Sequence, residues 1–302
     1  MFLGVCTTAC ALDIVRPLES SDLVGRNGYA FEILTLALRC TVPKYGPFVE
    51  IPFRDNLSVK RAQVEAIKGN LINVMISNAS DADFNRAMIP IPFPIDKGLL
   101  GYRVSFIRDG EQGRFESVET IAQLRMLVVG QGRAWGDVPI YQYNKIPVLT
   151  SDSYDGLFNM LVHRRFDMFP RGVIEASDEL KNYGRIYQSL RIDDHLLLVY
   201  PYANFFYVTS GNPRLARRIN DGLEIIHKSG SFDRIFNRYF AKTLEDLHLD
   251  RRTAIFLANP YVPSWFSAVR SDLWINPMSY KPQLNLDSNG TSPVGSCAYD
   301  AR

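Results

Sequence analysis

IPIPFPIDKGLLGYRVSFI, residues 89 to 107, decides how the rest of this chain is read. Pro90, Pro92 and Pro94 fall within five residues, a spacing that forbids helix and disfavours any central strand. The chain is therefore leaving one structural unit, and YRVSFI (102–107) opens a strand in another. Upstream, LDIVRP (12–17) reads as a short strand. GYAFEILTLALRC (28–40) carries Phe31, Leu34 and Leu38, with Ile33 and Ala37, at helical spacing. LSVKRAQVEAIKGN (57–70) puts Val59, Ala62, Ala66 and Ile67 on one helix face and stops at Gly69, and INVMIS (72–77) is a continuous apolar strand suited to burial on both faces. Alternating strand and helix predicts an α/β fold.

The same alternation resumes beyond the prolines. Strand 102–107 is followed by helix SVETIAQL (117–124), strand RMLVVG (125–130), the glycine loop GQGRAWGD (130–137), helix YDGLFNMLVHR (154–164) and strand FDMF (166–169). HLLLVYPY (195–202) is a further apolar strand, and FFYVTS (205–210) reads as a return crossing. Asn212 caps a helix with Pro213 in its first turn and Leu215, Ile219, Leu223 and Ile226 on its buried face, Gly230 stops it, and Ser231 caps another. This order predicts two lobes joined by two hinge crossings near 98–103 and 198–204. Residues 12–100 and 202–280 form the first lobe and 103–200 the inserted second. Residues 281–302, rich in Ser, Asn, Gly and Pro, are expected to be a poorly ordered tail.

Composition narrows the function. The chain has 302 residues, 46% hydrophobic and 22% charged, with 34 basic and 32 acidic residues spread along it, so no basic stripe points to nucleic acid. MFLGVCTTACA (1–11) is apolar, and Ala9-Cys10-Ala11 fits a signal-peptidase site that would leave Leu12 near the mature N-terminus; it lacks a charged n-region, and a buried first strand is the alternative. Cys6 and Cys10 would leave with such a signal, and Cys40 and Cys297 could then pair in an oxidising compartment. No cysteine or histidine spacing suggests a metal, and no cofactor is expected.

GYAFEI, the helix ending at Gly69 before INVMISNAS, Arg86 ahead of the crossing, VVGQG opening a loop to a helix, RRFD before the next strand, and NPRLARRINDGLEIIHKSGSFDRIFNRYF (212–240) together resemble the type II periplasmic solute-binding proteins of family 3, the amino-acid receptors of ABC importers. RAMIPIPFPIDKGLLGYR, WGDVPIYQYN, NPYVP and LWINP are similar to a divergent proteobacterial subgroup whose ligands are poorly defined. The resemblance implies a non-catalytic, monomeric periplasmic receptor that closes on a small anionic or amino-acid-like solute and delivers it to a membrane permease. The same receptor docked on a sensor's periplasmic domain is an alternative, and a dehydratase-like enzyme a more distant one, with Glu175 the one nameable acid.

The resemblance also implies a site. Tyr29 matches an aromatic that packs on the ligand; Ser77, Asn78 and Ser80 match a polar loop that hydrogen-bonds it; Arg86 matches an arginine that forks onto a carboxylate. On the second lobe Gln131, Gly132 and Arg133 open the loop, and Trp135 follows it as a wall of the binding cleft. Where the family places an aspartate for the ligand's ammonium group, this chain has Gly172 beside Arg171. Arg171 is accordingly expected to face an anion across the cleft, the alternative being an ion pair with Asp167 or Glu175 in its own lobe.

Overall fold

A computed structural model describes residues 12–19, 24–55, 57–78 and 82–280. The expectations for the signal segment 1–11, Ser80, Cys297 and the tail 281–302 lie outside these residues. In chain order the elements are β1 (Asp13–Val15), α1 (Val24–Cys40), α2 (Val42–Tyr45), β2 (Phe48–Glu50), α3 (Val59–Lys68), β3 (Val74–Asn78), α4 (Ala82–Ala87), β4 (Met88–Pro90), β5 (Tyr102–Arg108), α5 (Gln112–Glu116), α6 (Ile121–Leu124) and β6 (Val129–Gly132). They continue with α7 (Asp137–Tyr143), β7 (Val148–Ser151), α8 (Tyr154–Val162), β8 (Phe169–Gly172), α9 (Val173–Tyr183), β9 (Leu190–Ile192), β10 (Leu196–Val199), β11 (Asn204–Thr209), α10 (Pro213–Lys228), α11 (Ser231–Asp246) and β12 (Thr253–Phe256).

Strand pairing separates two lobes. In the first, β11 lies between β3 and β4 and is antiparallel to both, placing Phe206 opposite Ile76 and Val208 opposite Ile89. The parallel pair β1–β2 joins this sheet through a bridge from Pro17 to Val74. In the second, the strand order is β12-β10-β5-β8, β9 also pairs with β5, and the parallel pair β6–β7 attaches through Val129 and Met168. FFYVTS is therefore the central strand of the first sheet and not the return crossing, which falls at residues 200–203. Residues 205–208 are buried on both faces, which suits a central strand with a neighbour on each side.

Local signals behave as their chemistry requires. Gly69 ends α3 at φ 75°, and its N–H donates to the Glu65 carbonyl; the Asn212 side chain accepts from Leu215 N–H at the head of α10. Gly230 at φ 72°, and not Ser231, is the residue that precedes α11. Helices α1 and α10 pack so closely that a Cβ at Gly222 would meet the Ala37 carbonyl oxygen at 2.2 Å. The fully buried Arg218 of α10 donates to Asp13 at 2.7 Å, to Thr41 Oγ1 at 3.0 Å, and to the carbonyls of Leu38, Gly46 and Pro47. It thereby ties the Leu38 carbonyl near the end of α1, which also accepts from Thr41, to the carbonyls of Gly46 and Pro47 just before β2.

The lobes touch through more than the crossings. Helix α9 of the second lobe packs on α1 and α11 of the first, and one buried apolar cluster runs from Leu34 and Phe236 to Phe106, Phe158 and Phe169. At the crossings, Tyr200 N–H donates to the Gly101 carbonyl at 3.0 Å, and a Cβ at Gly101 would lie 2.2 Å from Tyr200 O. Asp96, 2% exposed, ties the two crossings together by accepting from Gly98 N–H and Asn204 N–H, each at 3.0 Å.

Burial pushes the Asp96 pKa from 3.8 up to about 7, against the opposing pull of the Asn204 and Gly98 amides and of Arg103. A carboxyl whose folded-state pKa exceeds its unfolded value costs stability when ionised, so this cost is full above about pH 7 and fades as pH falls toward 4. Asp96→Asn should remove that dependence. Urea midpoints measured from about pH 5 to pH 8 should diverge, the variant gaining on the parent as pH rises; parallel curves would contradict the assignment.

Candidate functional site

One edge of the inserted lobe carries Arg103, Gly132, Gly172 and Tyr200, and it gathers five of the eleven buried charged side chains among the described residues: Arg103, Asp137, Arg171, Glu175 and Glu179. Arg103, the second residue of β5, lies opposite Gly172, the last residue of β8. Its guanidinium lies 2.7 Å from Asp137, at the start of α7, and 3.3 Å from Glu175 in the first turn of α9. Glu175 also accepts from Gly172 N–H at 2.8 Å, closing the helix N-terminus, and pairs with Arg171 at 3.1 Å. Arg171 forks onto Glu179, with Nε to Oε2 at 2.8 Å and Nη2 to Oε1 at 2.7 Å, and Tyr154 donates to the same carboxylate at 2.6 Å. Tyr200 donates to Asp137 at 2.5 Å. Glu175 is thus shared by both arginines.

Burial works against the charge on Arg103 and Arg171. The carboxylates of Asp137 and Glu175 beside the first, and of Glu175 and Glu179 beside the second, outweigh it and hold both pKa values above their ordinary range. Burial, with neighbouring carboxylates, also raises Tyr141, Tyr154 and Tyr200, so all three hydroxyls stay protonated and available as donors. Aromatic faces line the assembly: Arg171 Cζ is 4.5 Å from the Trp135 ring centroid and 5.3 Å from that of Phe169, and Arg103 lies over Tyr200 and Tyr202.

Four of the expected residues meet here. Gln131, 1% exposed, donates to the Pro170 carbonyl at 3.2 Å; its Oε1 has no hydrogen-bond partner, nor has Arg103 Nε or Ser105 Oγ. A Cβ on Gly132 would come within 2.4 Å of the Trp135 ring, so glycine is what lets the indole stack on Phe169 at 6.0 Å and 14°. Arg171 is the fourth, and its role differs from the expectation. It is 4% exposed and engaged by Glu175 and Glu179 on its own helix neighbour, so it does not reach across to an anion. Of the alternative partners, Glu175 is one; Asp167 instead takes Arg114 and Val128 N–H.

The remaining expected residues lie apart. Arg133 turns outward and pairs with Asp152. Ser77 and Asn78 end β3 in the first sheet, where Asn78 faces Asn204. Arg86, with its side chain 75% exposed, pairs with Asp83 one helical turn away. Tyr29, expected against a ligand, packs against Phe236, Tyr239 and Phe240 and donates to the Ile95 carbonyl at 2.5 Å. Its hydroxyl finds a partner inside the core, which makes it part of the first crossing's support. Sequence reasoning missed Arg103, Asp137, Glu179 and Tyr200. Glu175 and Glu179 stand four residues apart on one face of α9, which starts two residues after Arg171, and together offer two carboxylates to that strand end.

No protein-family model matches the sequence, and no curated protein matches it. Solved structures do match. A periplasmic binding protein of Salmonella typhimurium with high arginine specificity aligns at TM-score 0.52 and 16% identity, over 76% of this chain and 99% of that one. This chain has the two-lobed type II periplasmic-binding-protein fold. The VFT2 domain of Bordetella pertussis BvgS aligns at TM-score 0.54 and 17% identity, over 76% and 93%. An ancestral amino-acid-binding protein, a precursor of cyclohexadienyl dehydratase, aligns at 0.51 and 13%, over 75% and 95%.

The geometry separates two kinds of arginine. Arg171→Ala leaves Glu175 and Glu179 buried with less compensation and should lower stability by about 3–5 kcal/mol. Arg133→Ala removes an exposed pair and should cost no more than about 1 kcal/mol. Urea denaturation of both variants checks this, and equal midpoints would show that the buried pairing contributes no more than the surface one.

Proposed function

We propose that this protein is an exported solute receptor that encloses a small amino-acid-like or anionic molecule between its lobes and passes it to an ABC-type importer. The observation that carries the reading is the rigid, charge-satisfied polar wall at the edge of the inserted sheet, in a fold whose matched structures include amino-acid-binding proteins. Such an edge, where strands end and helices begin, is where open α/β sheets hold ligands. The solute's carboxylate goes to Arg86, whose exposed pair with Asp83 costs little to give up. Ser77, Asn78 and Ser80 supply hydrogen bonds, and Gln131, Gly132 and Trp135 form the opposite face, with Arg171 beneath it holding the face in shape.

Cys40 is disulfide-bonded, which suits an oxidising compartment such as the periplasm. No helix among the described residues is long and apolar enough to cross a membrane. An enzymatic role is disfavoured because Glu175 is engaged by Arg103, Arg171 and the Gly172 amide and serves as a fixed anion.

Native mass spectrometry of the purified protein, followed by calorimetry with proteinogenic amino acids and small dicarboxylates, tests the proposal. Arg86→Ala should weaken binding by about 2–5 kcal/mol, or about thirty-fold to several thousand-fold, with little change in stability. Undiminished affinity in that variant removes Arg86 from the site; no binding of any such solute by the parent sinks the receptor reading.

A further inference from the structure

We propose that residues 249–280 are a brace that links the lobes independently of the two crossings and restricts their rotation about the hinge. The sequence places 202–280 wholly in the first lobe, and the structure corrects this. After α11 the chain passes to the second lobe, where β12 pairs in parallel with β10, Thr253 facing Leu196 and Phe256 facing Val199. Thr253 N–H donates to His195 O at 2.7 Å and Leu257 N–H to Val199 O at 2.8 Å, extending the ladder at both ends. Asn144 then clamps Ala258 through both its backbone groups, at 2.7 and 3.0 Å.

The segment next returns to the first lobe. Trp265 packs edge-on against Phe205 at 4.9 Å, Phe266 lies 5.9 Å from the same ring, and Trp274 packs tilted against Phe266 at 5.1 Å. Arg270 pairs with Glu224 and Asp272 with His227, both partners on α10, and Tyr280 donates to Asn237 on α11. The chain therefore passes between lobes four times: at 91–101, at 200–203, before β12 and after it.

On its way the segment grips both crossings. Asn259 Nδ2 donates to the Pro201 carbonyl at 2.7 Å, on the second. On the first, Ile275 N–H donates to the Lys97 carbonyl at 3.2 Å, and the Trp274 ring sits so close to Gly98, at φ 83°, that a Cβ there would be 2.4 Å from it. Hinge closure needs a few backbone positions free to change φ and ψ. Here the positions that would turn are hydrogen-bonded and covered by a segment itself anchored on both sides, so lobe rotation must strain or release the brace. The inference concerns the hinge alone and is independent of which solute is bound.

The test loosens the brace where it touches the crossings. In the full chain, Asn259→Ala with Trp274→Ala should raise amide hydrogen exchange at residues 96–101 and 200–203 by about tenfold or more while β11 and α10 keep their protection. A second arm inserts a protease site in the loop at the exposed residues 260 and 261 and nicks it, leaving the anchoring contacts on either side present while cutting the link. Small-angle scattering should then show a wider particle. Exchange that is unchanged or rises evenly across the chain, together with an unchanged radius of gyration after nicking, would show that the segment merely fills surface and does not hold the lobes.

Discussion

Two guanidinium groups and three carboxylates share one corner of the inserted lobe, and everything around them follows from the need to bury them together. A charge removed from water must be met by opposite charge and by hydrogen bonds in good geometry. That requirement explains why β8 ends in Pro-Arg-Gly, why a glutamate stands at the third position of α9, and why tyrosines 154 and 200 aim their hydroxyls at carboxylates. It also explains the glycine at 132, without which Trp135 could not cover Arg171. Such an assembly adds little net stability compared with an apolar core, but it admits few alternative arrangements, so what it offers is a wall of fixed shape.

The first lobe answers the same problem differently. Arg218 spends its donors on Asp13, a threonine and three carbonyls, closing the end of α1 against β1 and β2. One lobe is thus pinned at a helix terminus and the other at a sheet edge. Between them α9 extends one core into the next, and the brace binds the outside, so the interface has more in common with a domain interior than with the small polar contacts of freely moving domains.

What could be read from the sequence was what is decided locally. The proline run at 90–94, the stop at Gly69 and the cap at Asn212 are settled by residues within a few positions of each other, and each lies where its chemistry places it. The α/β class followed from strand and helix alternation. Less legible was anything set by distant partners. Arg171 stands at a strand end in a way that fits a ligand as well as it fits Glu179, and only the turn into α9, which no periodicity had marked, chooses between them. Tyr29 looked like a ligand's platform because its neighbours in α11 lie more than two hundred residues away in the chain. The four residues of β12 are too few to announce a strand, and nothing near them says which sheet they join.

The position of β11 sets an order of events during synthesis. The first lobe's sheet is assembled around a strand that begins at Asn204, after the whole insertion has been made, with β3 and β4 waiting on either side. Until residue 209 is available, β3 and β4 each keep unpaired the edge that β11 will occupy. The inserted lobe, by contrast, holds β5, β6, β7, β8, β9 and β10 within about a hundred consecutive residues, and lacks only its edge strand β12. The middle of the chain can therefore condense while its beginning is still open, and the amino-terminal quarter is the last part of the early sequence to become a folded structure.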